Sequence, residues 1–486
     1  MMKMKLILHV LVILLAIISL FMLIPAGIAL FYGETECLRA FLLPIIVLLP
    51  LAIGLYVITR KNRDKVMSPR DGFMLVSLAW ISASALGAMP FYLSGTIPSF
   101  TDAYFETMSG FTTTGASILT AIEGLPFSIL FWRSLTHWLG GMGIVVLTVA
   151  VFPLLGIGGL QLLKAEAPGP SVDKITPKIA HTAKLLWFIY LGMTVIETLL
   201  LLLGGMNLFD SLTHTFGTMA TGGFSTKNTS VGYYDSPFIH WVITIFMVMA
   251  GLNFALYFKL LTGRIKGFLI DSEMKAYLGI FLIASLAITF SLMKNHVFHG
   301  FFESLRYAAF QVASILTTTG FATTNYDLWP EFSKTILFLM MFVGGCAGST
   351  GGGIKVVRIV TLFKLAFREL KRLIYPRGVF HLRLNKMVLR KDIISVITGF
   401  VFLYVFTLLV TTVVVAGGGY DILSSFSTAL VTVGNIGPGF NLVGPTMNFS
   451  FFQPGIKWFL SLAMMMGRLE IYTVMVLFIP HFWRKL

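Results

Sequence analysis

Long apolar segments alternate with short polar or basic segments along most of this chain. The first three apolar segments cover residues 6–31, 41–59 and 73–93, and a helix needs roughly 20 residues to cross a bilayer. Backbone polar groups must pair within each segment in lipid, so the segments predict helices rather than the short alternating strands of a membrane barrel. The later apolar segments cover residues 131–155, 185–203, 238–261, 277–293, 336 onward, 393–416 and 456–482. The pattern therefore predicts an all-α polytopic membrane protein with ten spans.

Composition and charge support the same class of protein. Of the 486 residues, 56% are hydrophobic and 12% are charged, against about 25% charged in an ordinary soluble domain. The 36 basic residues outnumber the 21 acidic ones and collect in alternate loops, as the positive-inside rule requires of cytoplasmic loops. We therefore expect both termini in the cytoplasm and no nucleic-acid partner. Cys37 and Cys346 lie too far apart in sequence to indicate a zinc site or a disulfide framework.

Four segments on the other side of the predicted membrane look like copies of one unit. Each opens with an acidic residue, Asp102, Asp210, Glu303 or Asp421, and then runs through small and hydroxyl residues to a cluster rich in threonine and glycine. Repetition of this kind is typical of a unit that surrounds an axis. The candidate residues are Thr112, Thr113, Thr114 and Gly115; Ala220, Thr221, Gly222 and Gly223; Thr317, Thr318, Thr319 and Gly320; and Val433, Gly434, Asn435, Ile436 and Gly437, where either Gly434 or Gly437 is the shared glycine.

Each copy predicts a helix, a short re-entrant helix, an extended segment and a second helix. Extended backbone at membrane depth is stable only where protein or an aqueous path surrounds it. Four such segments around an axis form a ring of carbonyl oxygens, to which threonine hydroxyls add acceptors, and a dehydrated monovalent cation fits that ring. Turns or close helix contacts are the alternative, but they do not explain four copies. The predicted units are residues 71–165, 166–268, 269–375 and 376–486, after two extra helices in residues 1–70.

A glycine-rich segment interrupts the predicted second helix of the third unit. It has six glycines in ten residues, which destabilise a helix, and a polar break within the membrane is allowed where it borders a pore. We interpret the segment as a gate below the ring. Arg468 lies within the last span, so we expect it to face the pore beside this segment; a structural ion pair with Glu470 is the alternative. The gate candidates are Gly344, Gly345, Cys346, Ala347, Gly348, Ser349, Thr350, Gly351, Gly352, Gly353 and Arg468.

Four further polar residues are interpreted as structural. Lys355 and Arg358 follow the glycine-rich segment and are predicted to be anchors at the membrane surface. His137 is predicted to pack at the membrane interface, and Glu197 is predicted to be a hydrogen-bonded core residue, with a coupling site as the alternative. The sequence contains no nucleotide-binding lysine motif, no His/Cys metal spacing and no nucleophile with a base, so no enzyme activity is expected.

The whole arrangement resembles the Trk/Ktr superfamily of potassium transporters over essentially the full chain. The specific motifs are the four threonine and glycine clusters, the glycine-rich segment and residues 467–470. The resemblance implies potassium uptake across a bacterial inner membrane, with one selectivity filter in each protomer of a homodimer and the glycine-rich segment as a gating loop within the membrane. It implies no covalently bound cofactor, only potassium ions in the pore.

The resemblance also implies a cytosolic partner, a nucleotide-binding ring similar to TrkA. Two other functions stay open, a secondary transporter of another small solute and a less selective monovalent cation channel. Paired inverted repeats are typical of the former, whereas this sequence shows four copies of one topology. The predicted docking surface is a basic cluster that consists of Lys364, Arg368, Lys371, Arg372, Arg377, Arg383, Lys386, Arg390 and Lys391.

Overall fold

The computed structural model describes residues 4–59, 68–146, 179–263, 265–385 and 387–484. The described residues are predominantly helical, with one short hairpin as their only named strands, which confirms the predicted all-α class. Three helices precede the repeated units: α1 (Met4–Phe21), α2 (Leu23–Tyr32) and α3 (Thr35–Thr59). Helices α1 and α2 together form one apolar span, and α1 packs against α3.

The remaining helices fall into four successive groups that we number as units 1 to 4. Unit 1 contains α4 (Pro69–Leu93), α5 (Phe100–Phe111) and α6 (Phe127–Val146). Unit 2 contains α7 (Ile179–Leu203), α8 (Leu208–Met219), α9 (Pro237–Ala250), α10 (Phe254–Leu261) and α11 (Ile265–Leu269). Unit 3 contains α12 (Ser272–Lys294), α13 (Phe301–Leu316), α14 (Glu331–Met340) and α15 (Val356–Ile374). Unit 4 contains α16 (Lys391–Ala416), α17 (Ile422–Val433), α18 (Pro454–Arg468), α19 (Tyr472–Met475) and α20 (Pro480–Trp483).

Every unit contains one short helix, α5, α8, α13 or α17, that follows a long apolar helix. These helices have 12 to 16 residues, so at 1.5 Å per residue they are too short to cross a hydrocarbon core of about 30 Å. Acidic side chains lie at their N-termini, where they stabilise the positive end of the helix dipole. Asp421 is itself the N-cap of α17, and its carboxylate accepts the backbone N–H of Ser424 at 2.9 Å.

The four units close into a ring through contacts between neighbours. Helix α6 of unit 1 packs on α8 of unit 2, α9 packs on α13 of unit 3, and α18 of unit 4 packs on α5 of unit 1. At the remaining boundary, Phe338 and Phe342 from unit 3 pack against Phe426 of α17. Each short helix therefore lies between the long helix of its own unit and a helix of the preceding unit.

Several predicted spans are not straight helices. Within the described residues, six helical segments are long and apolar enough to cross a membrane, and two bent pairs raise the number to eight. The predicted span 238–261 breaks at residues 251–253 with a bend of 96°, and the predicted span 456–482 breaks after Arg468 with a bend of 116°. Helix α14 is ten residues long because the glycine-rich segment ends it. Part of the predicted span 131–155 lies outside the described residues, so the total of ten stays a prediction.

The basic cluster surrounds the only hairpin of the described residues. Strand β1 (Arg383–Leu384) pairs with β2 (Met387–Val388) in antiparallel register. Lys386, a member of the basic cluster, lies outside the described residues. The predicted unit boundaries stay predictions; those at 70/71 and 268/269 fall inside α4 and α11, and that at 165/166 lies outside the described residues.

Candidate functional site

The four short helices end in the same way. In each, the second residue after the helix has a positive φ, and its N–H bonds to the carbonyl three residues back. The N–H of the next residue bonds to the carbonyl five residues back, which completes a Schellman motif at every helix. The positive-φ residues are Thr113 (52°), Thr221 (55°), Thr318 (60°) and Asn435 (54°). A left-handed conformation costs a threonine about 1–2 kcal/mol, so the surrounding contacts must stabilise this geometry.

A second positive φ follows two residues later, always at a glycine. The residues are Gly115 (81°), Gly223 (79°), Gly320 (87°) and Gly437 (94°). In contrast, Gly434 is the C-cap of α17 with φ −76°, in the same position as Thr112, Ala220 and Thr317 at the other helices. The backbone therefore places Gly437, and not Gly434, in register with the glycines of the other units.

These four glycines contact one another's backbones in a closed cycle. A Cβ on Gly115 would overlap the carbonyl oxygen of Gly222, which precedes the glycine of unit 2. The same approach of a glycine to a carbonyl of the next unit joins unit 2 to unit 3, unit 3 to unit 4, and unit 4 to unit 1. The remaining pairs are Gly223 with the Thr319 carbonyl, Gly320 with the Ile436 carbonyl, and Gly437 with the Thr114 carbonyl. Glycine is required here because a side chain would displace a carbonyl of the ring.

Threonine hydroxyls next to this ring bond to one another in units 1 and 3. Thr112 and Thr114 hydrogen-bond to each other at 2.8 Å, and Thr317 and Thr319 do so at 2.7 Å. The Asn435 amide donates to the Thr114 hydroxyl at 2.9 Å and so joins unit 4 to unit 1. These hydroxyls bond within the protein and each keeps a lone pair, so the addition of threonine acceptor oxygens to the ring stays a prediction.

The loops that follow the ring are joined at all four unit boundaries. Backbone and side-chain hydrogen bonds of 2.8 to 3.0 Å cross each boundary. These four hydrogen bonds run from Ile122 N–H to the Asn228 amide oxygen, from Gly232 N–H to the Ala322 carbonyl, from the Tyr326 hydroxyl to the Gly439 carbonyl, and from Phe449 N–H to the Ser117 carbonyl.

An open cavity lies beyond the ring, and all four ring glycines line it.

The glycine-rich segment lies against the opposite side of the ring, where the short helices end. We call residues 344–353 the gate loop. Gly352 donates its N–H to the Thr318 hydroxyl at 2.6 Å, and a Cβ on Gly352 would come within 2.6 Å of the Gly434 carbonyl. The Thr350 hydroxyl donates toward the Met219 carbonyl at 3.1 Å. The gate loop thus touches units 2, 3 and 4 directly beneath the ring.

Arg468 joins the gate loop to the remaining unit. Its guanidinium donates to the Thr350 carbonyl at 2.6 Å and to the Gly140 carbonyl of unit 1 at 3.3 Å, and the residue is 3% exposed. Arg468 therefore lies beside the gate loop, and its position facing the pore stays a prediction. Glu470, the alternative ion-pair partner, pairs with Arg358.

The prediction that Lys355 and Arg358 are surface anchors is wrong. Lys355 is 7% exposed and donates to the Gly351 carbonyl of the gate loop. Arg358 is 5% exposed, pairs with Glu470 and lies over the ring of Phe400. A buried charge is stable only when it is paired, so both side chains help to position the gate loop and the helix that follows it.

The comparison with known proteins agrees with this arrangement. A family model for cation transport proteins, TrkH, matches residues 40–485 of the chain. The chain belongs to the TrkH family. This confirms the predicted superfamily and the expectation of a transporter rather than an enzyme.

Individual members of the TrkH family match over nearly the whole chain. The chain is 42% identical over 467 residues to the Trk system potassium uptake protein TrkH of Escherichia coli (strain K12), with 96% of both proteins covered. It is 40% identical over 489 residues to the protein of the same name from Vibrio parahaemolyticus, with 100% of both covered. The crystal structure of the potassium transporter TrkH from Vibrio parahaemolyticus matches with a TM-score of 0.90 at 38% identity, covering 99% of this chain and 100% of that one.

In this TrkH family member, a buried ion pair that the sequence analysis missed lies behind the ring. The Glu106 carboxylate accepts from Arg133 at 2.6 Å and from the Ile118 N–H at 2.9 Å. Arg133 also donates to the Ser225 carbonyl at 2.8 Å. The pair therefore joins the segment after Gly115 to the corresponding segment of unit 2.

The sequence contains one signal for this ion pair, namely a polar residue at the same position in each of the four units. Glu106 lies nine residues before Gly115, and polar residues occupy the same position before the other ring glycines: His214, Gln311 and Thr428. The His214 ring bonds the Ser225 hydroxyl at 2.9 Å, so this position supports the segment after the glycine in unit 2 as well.

The predictions for His137 and Glu197 had different outcomes. His137 is fully buried rather than interfacial; its ring stacks on Phe224 and bonds the Gly110 carbonyl at 2.7 Å, directly behind the unit 2 filter segment. Glu197 is fully buried in the protein core, with the Thr218 side chain beside its carboxylate.

We expect Glu106→Gln to destabilise the fold by about 3–5 kcal/mol, because it leaves the Arg133 charge buried without a partner. Thermal unfolding in detergent would measure the loss. The double variant Glu106→Gln/Arg133→Met removes both charges and should recover part of the stability. Unchanged unfolding of Glu106→Gln would show that the ion pair does not stabilise the ring.

Proposed function

We propose that this protein conducts potassium across the membrane through the closed ring of four filter segments. The observation that carries the proposal is the cyclic contact of each ring glycine with the carbonyl before the next one. Such a ring presents backbone oxygens from four sides, which is the arrangement that replaces the hydration shell of a monovalent cation. The names of the relatives, potassium uptake proteins, support potassium as the transported ion.

The electrostatics of the ring favour a weakly held cation. No acidic side chain occurs in the four filter segments, and Glu106 is neutralised by Arg133 behind them. A divalent ion requires several carboxylate oxygens, whereas conduction requires binding that is weak enough for the ion to leave. Backbone carbonyls at the mouth of an open cavity meet that condition for a monovalent ion.

We propose further that the gate loop and Arg468 close the path below the ring. The loop contacts units 2, 3 and 4, and Arg468 links it to unit 1. A loop with these contacts fills the space on the axis, and the guanidinium adds a positive charge that repels potassium. The loop must move before ions can pass.

The proposed function can be tested with purified protein in liposomes. An inside-negative potential should drive rubidium or potassium uptake that exceeds sodium uptake and that protein-free liposomes lack. Equal uptake of sodium would favour the less selective cation channel. Uptake of rubidium no faster than in protein-free liposomes, for the parent and for a gate-loop deletion alike, would contradict ion conduction.

We also propose that the protein is a homodimer in the inner membrane with both termini cytoplasmic, and that a nucleotide-binding ring similar to TrkA docks on the basic cluster. Support comes from the resemblance to Trk proteins and from the positive charge of the cluster. Replacing Lys364, Arg368 and Lys371 with Gln should weaken capture of the ring in pull-downs and leave ion selectivity unchanged. Capture at parental strength would place docking elsewhere.

A further inference from the structure

The hairpin inside the basic cluster packs directly against the gate loop. Leu384 of β1 is 2% exposed and belongs to a small buried apolar cluster. The other fully buried members of that cluster are Ala347 of the gate loop and Val357 in the first turn of α15. The hairpin, residues 382–389, is therefore part of the packing that surrounds the loop.

A second connection runs from the hairpin to the start of α12. Asn385, at the hairpin turn with φ 45°, accepts the N–H of Ser272 at 2.8 Å and its hydroxyl at 2.6 Å. The Asn385 amide donates to the Asp271 carboxylate at 3.0 Å. Asp271 caps α12 by accepting the N–H of Met274, so one side chain of the hairpin holds the first turn of α12.

The next residue of that turn, Glu273, contacts the gate loop itself. One carboxylate oxygen, Oε1, accepts the N–H of Ala347 at 2.7 Å and the N–H of Val357 at 3.1 Å. These two N–H groups lie in the loop and just beyond its end. Glu273 is 6% exposed, so the contact is shielded from water, and moving the carboxylate away would leave both N–H groups buried and unpaired.

We propose that the hairpin holds the gate loop in its closed position through Leu384 and through the chain Asn385–Ser272–Glu273, and that a partner docked on the basic cluster opens the gate by moving the hairpin. Glu273 and Asn385 are positioning residues, because neither lies on the ring. The inference rests on the proposed gate and names how that gate is controlled. The hairpin belongs to the basic cluster and also touches the loop, and it does so from outside the helix α15 that continues directly from the loop.

The test compares two substitutions of Glu273 in rubidium uptake by liposomes. Glu273→Ala removes the acceptor and should raise flux about tenfold, since a hydrogen bond to a charged group shifts a two-state equilibrium by roughly that factor. Glu273→Gln keeps an Oε1 acceptor for both N–H groups and should stay within about twofold of the parent. Selectivity for potassium over sodium should not change in either variant, because the ring is untouched.

A second test, on the hairpin, uses Asn385→Gly. This variant removes the side chain that bonds Ser272 and Asp271 and keeps the positive φ of the turn. It should also raise flux, and combining it with Glu273→Ala should raise flux no further than Glu273→Ala alone, because both act through one chain of contacts. Val388→Ala, on the exposed part of the same hairpin, is the matched control and should behave as the parent.

The results separate this inference from the gate itself. Parental flux in Glu273→Ala and Asn385→Gly, with raised flux in Arg468→Ala, would overturn the role of the hairpin and leave the gate intact. Parental flux in Arg468→Ala as well would contradict the proposed gate and, with it, the inference that rests on the gate. Asn385→Gly leaves the contacts within α12 and the loop in place, so it tests the inference even if Glu273→Ala does not fold.

Discussion

Replacing Arg468 with Ala should raise potassium flux by up to about a thousandfold. A unit charge about 4 Å from an ion contributes about 4 kcal/mol of repulsion at an effective dielectric constant of 20, and each 1.4 kcal/mol changes a rate about tenfold. Ala also removes the donor that holds the Thr350 carbonyl of the gate loop. Rubidium uptake into liposomes, with the parent measured in parallel, gives the ratio.

Two further variants define the cause of that increase. Arg468→Lys keeps the charge and loses the two-carbonyl contact, so its flux should lie between those of the parent and of Arg468→Ala. Deleting residues 345–352 should raise flux at least as much as Arg468→Ala, with the ion preference unchanged. A structural role for Arg468 predicts the opposite, namely flux at or below the parent together with unfolding at a lower temperature.

Replacing Gly437 with Ala should lower the preference for potassium over sodium by roughly tenfold or more. Gly437 has φ 94°, and a Cβ there would lie 2.6 Å from the Thr114 carbonyl and 3.0 Å from the backbone of Gly115. The carbonyl must move, and carbonyl direction determines how well the ring replaces the hydration shell of the ion. Competition of sodium with rubidium uptake measures the preference.

The matched control is Gly434→Ala, three residues earlier. Its φ of −76° is open to any residue, and the equivalent positions carry a Cβ in Thr112, Ala220 and Thr317. A Cβ on Gly434 would approach the Leu430 carbonyl of its own helix at 2.7 Å rather than a carbonyl of a neighbouring unit. We expect this variant to keep the parental preference. If Gly434→Ala lost selectivity and Gly437→Ala kept it, the assignment of the ring glycines in unit 4 would be wrong.

The sequence alone was sufficient for properties that depend on neighbouring residues. The length of apolar segments predicted the all-α membrane class, because a bilayer requires about 20 apolar residues per helix. Threonine and glycine clusters predicted the filter segments of units 1 to 3, since their glycines recur in one local pattern around Gly115, Gly223 and Gly320. Six glycines in ten residues predicted the break that became the gate loop.

Unit 4 shows where a local pattern is not enough. In the sequence, Gly434 and Gly437 both follow the end of a predicted helix. They are distinguished by their backbone φ angles and by the contact of Gly437 with the Thr114 carbonyl, which is distant in sequence. The two bent spans were missed for a similar reason. The segments on both sides of each break are apolar, and the breaks are stabilised by unit 3, where the Cys346 N–H donates to the Gly251 carbonyl and Arg358 pairs with Glu470.

Charged residues needed the tertiary structure most. Arg358 pairs with Glu470 across 112 positions, and Glu273 accepts the N–H of Ala347 across 74. The sequence indicated that each such charge was costly in a membrane, but it did not indicate the partner that offsets the cost. The partner is determined by the closure of the ring, which brings residues of four units together. Only the tertiary structure therefore shows which charged residues support the ring and which contact the gate loop.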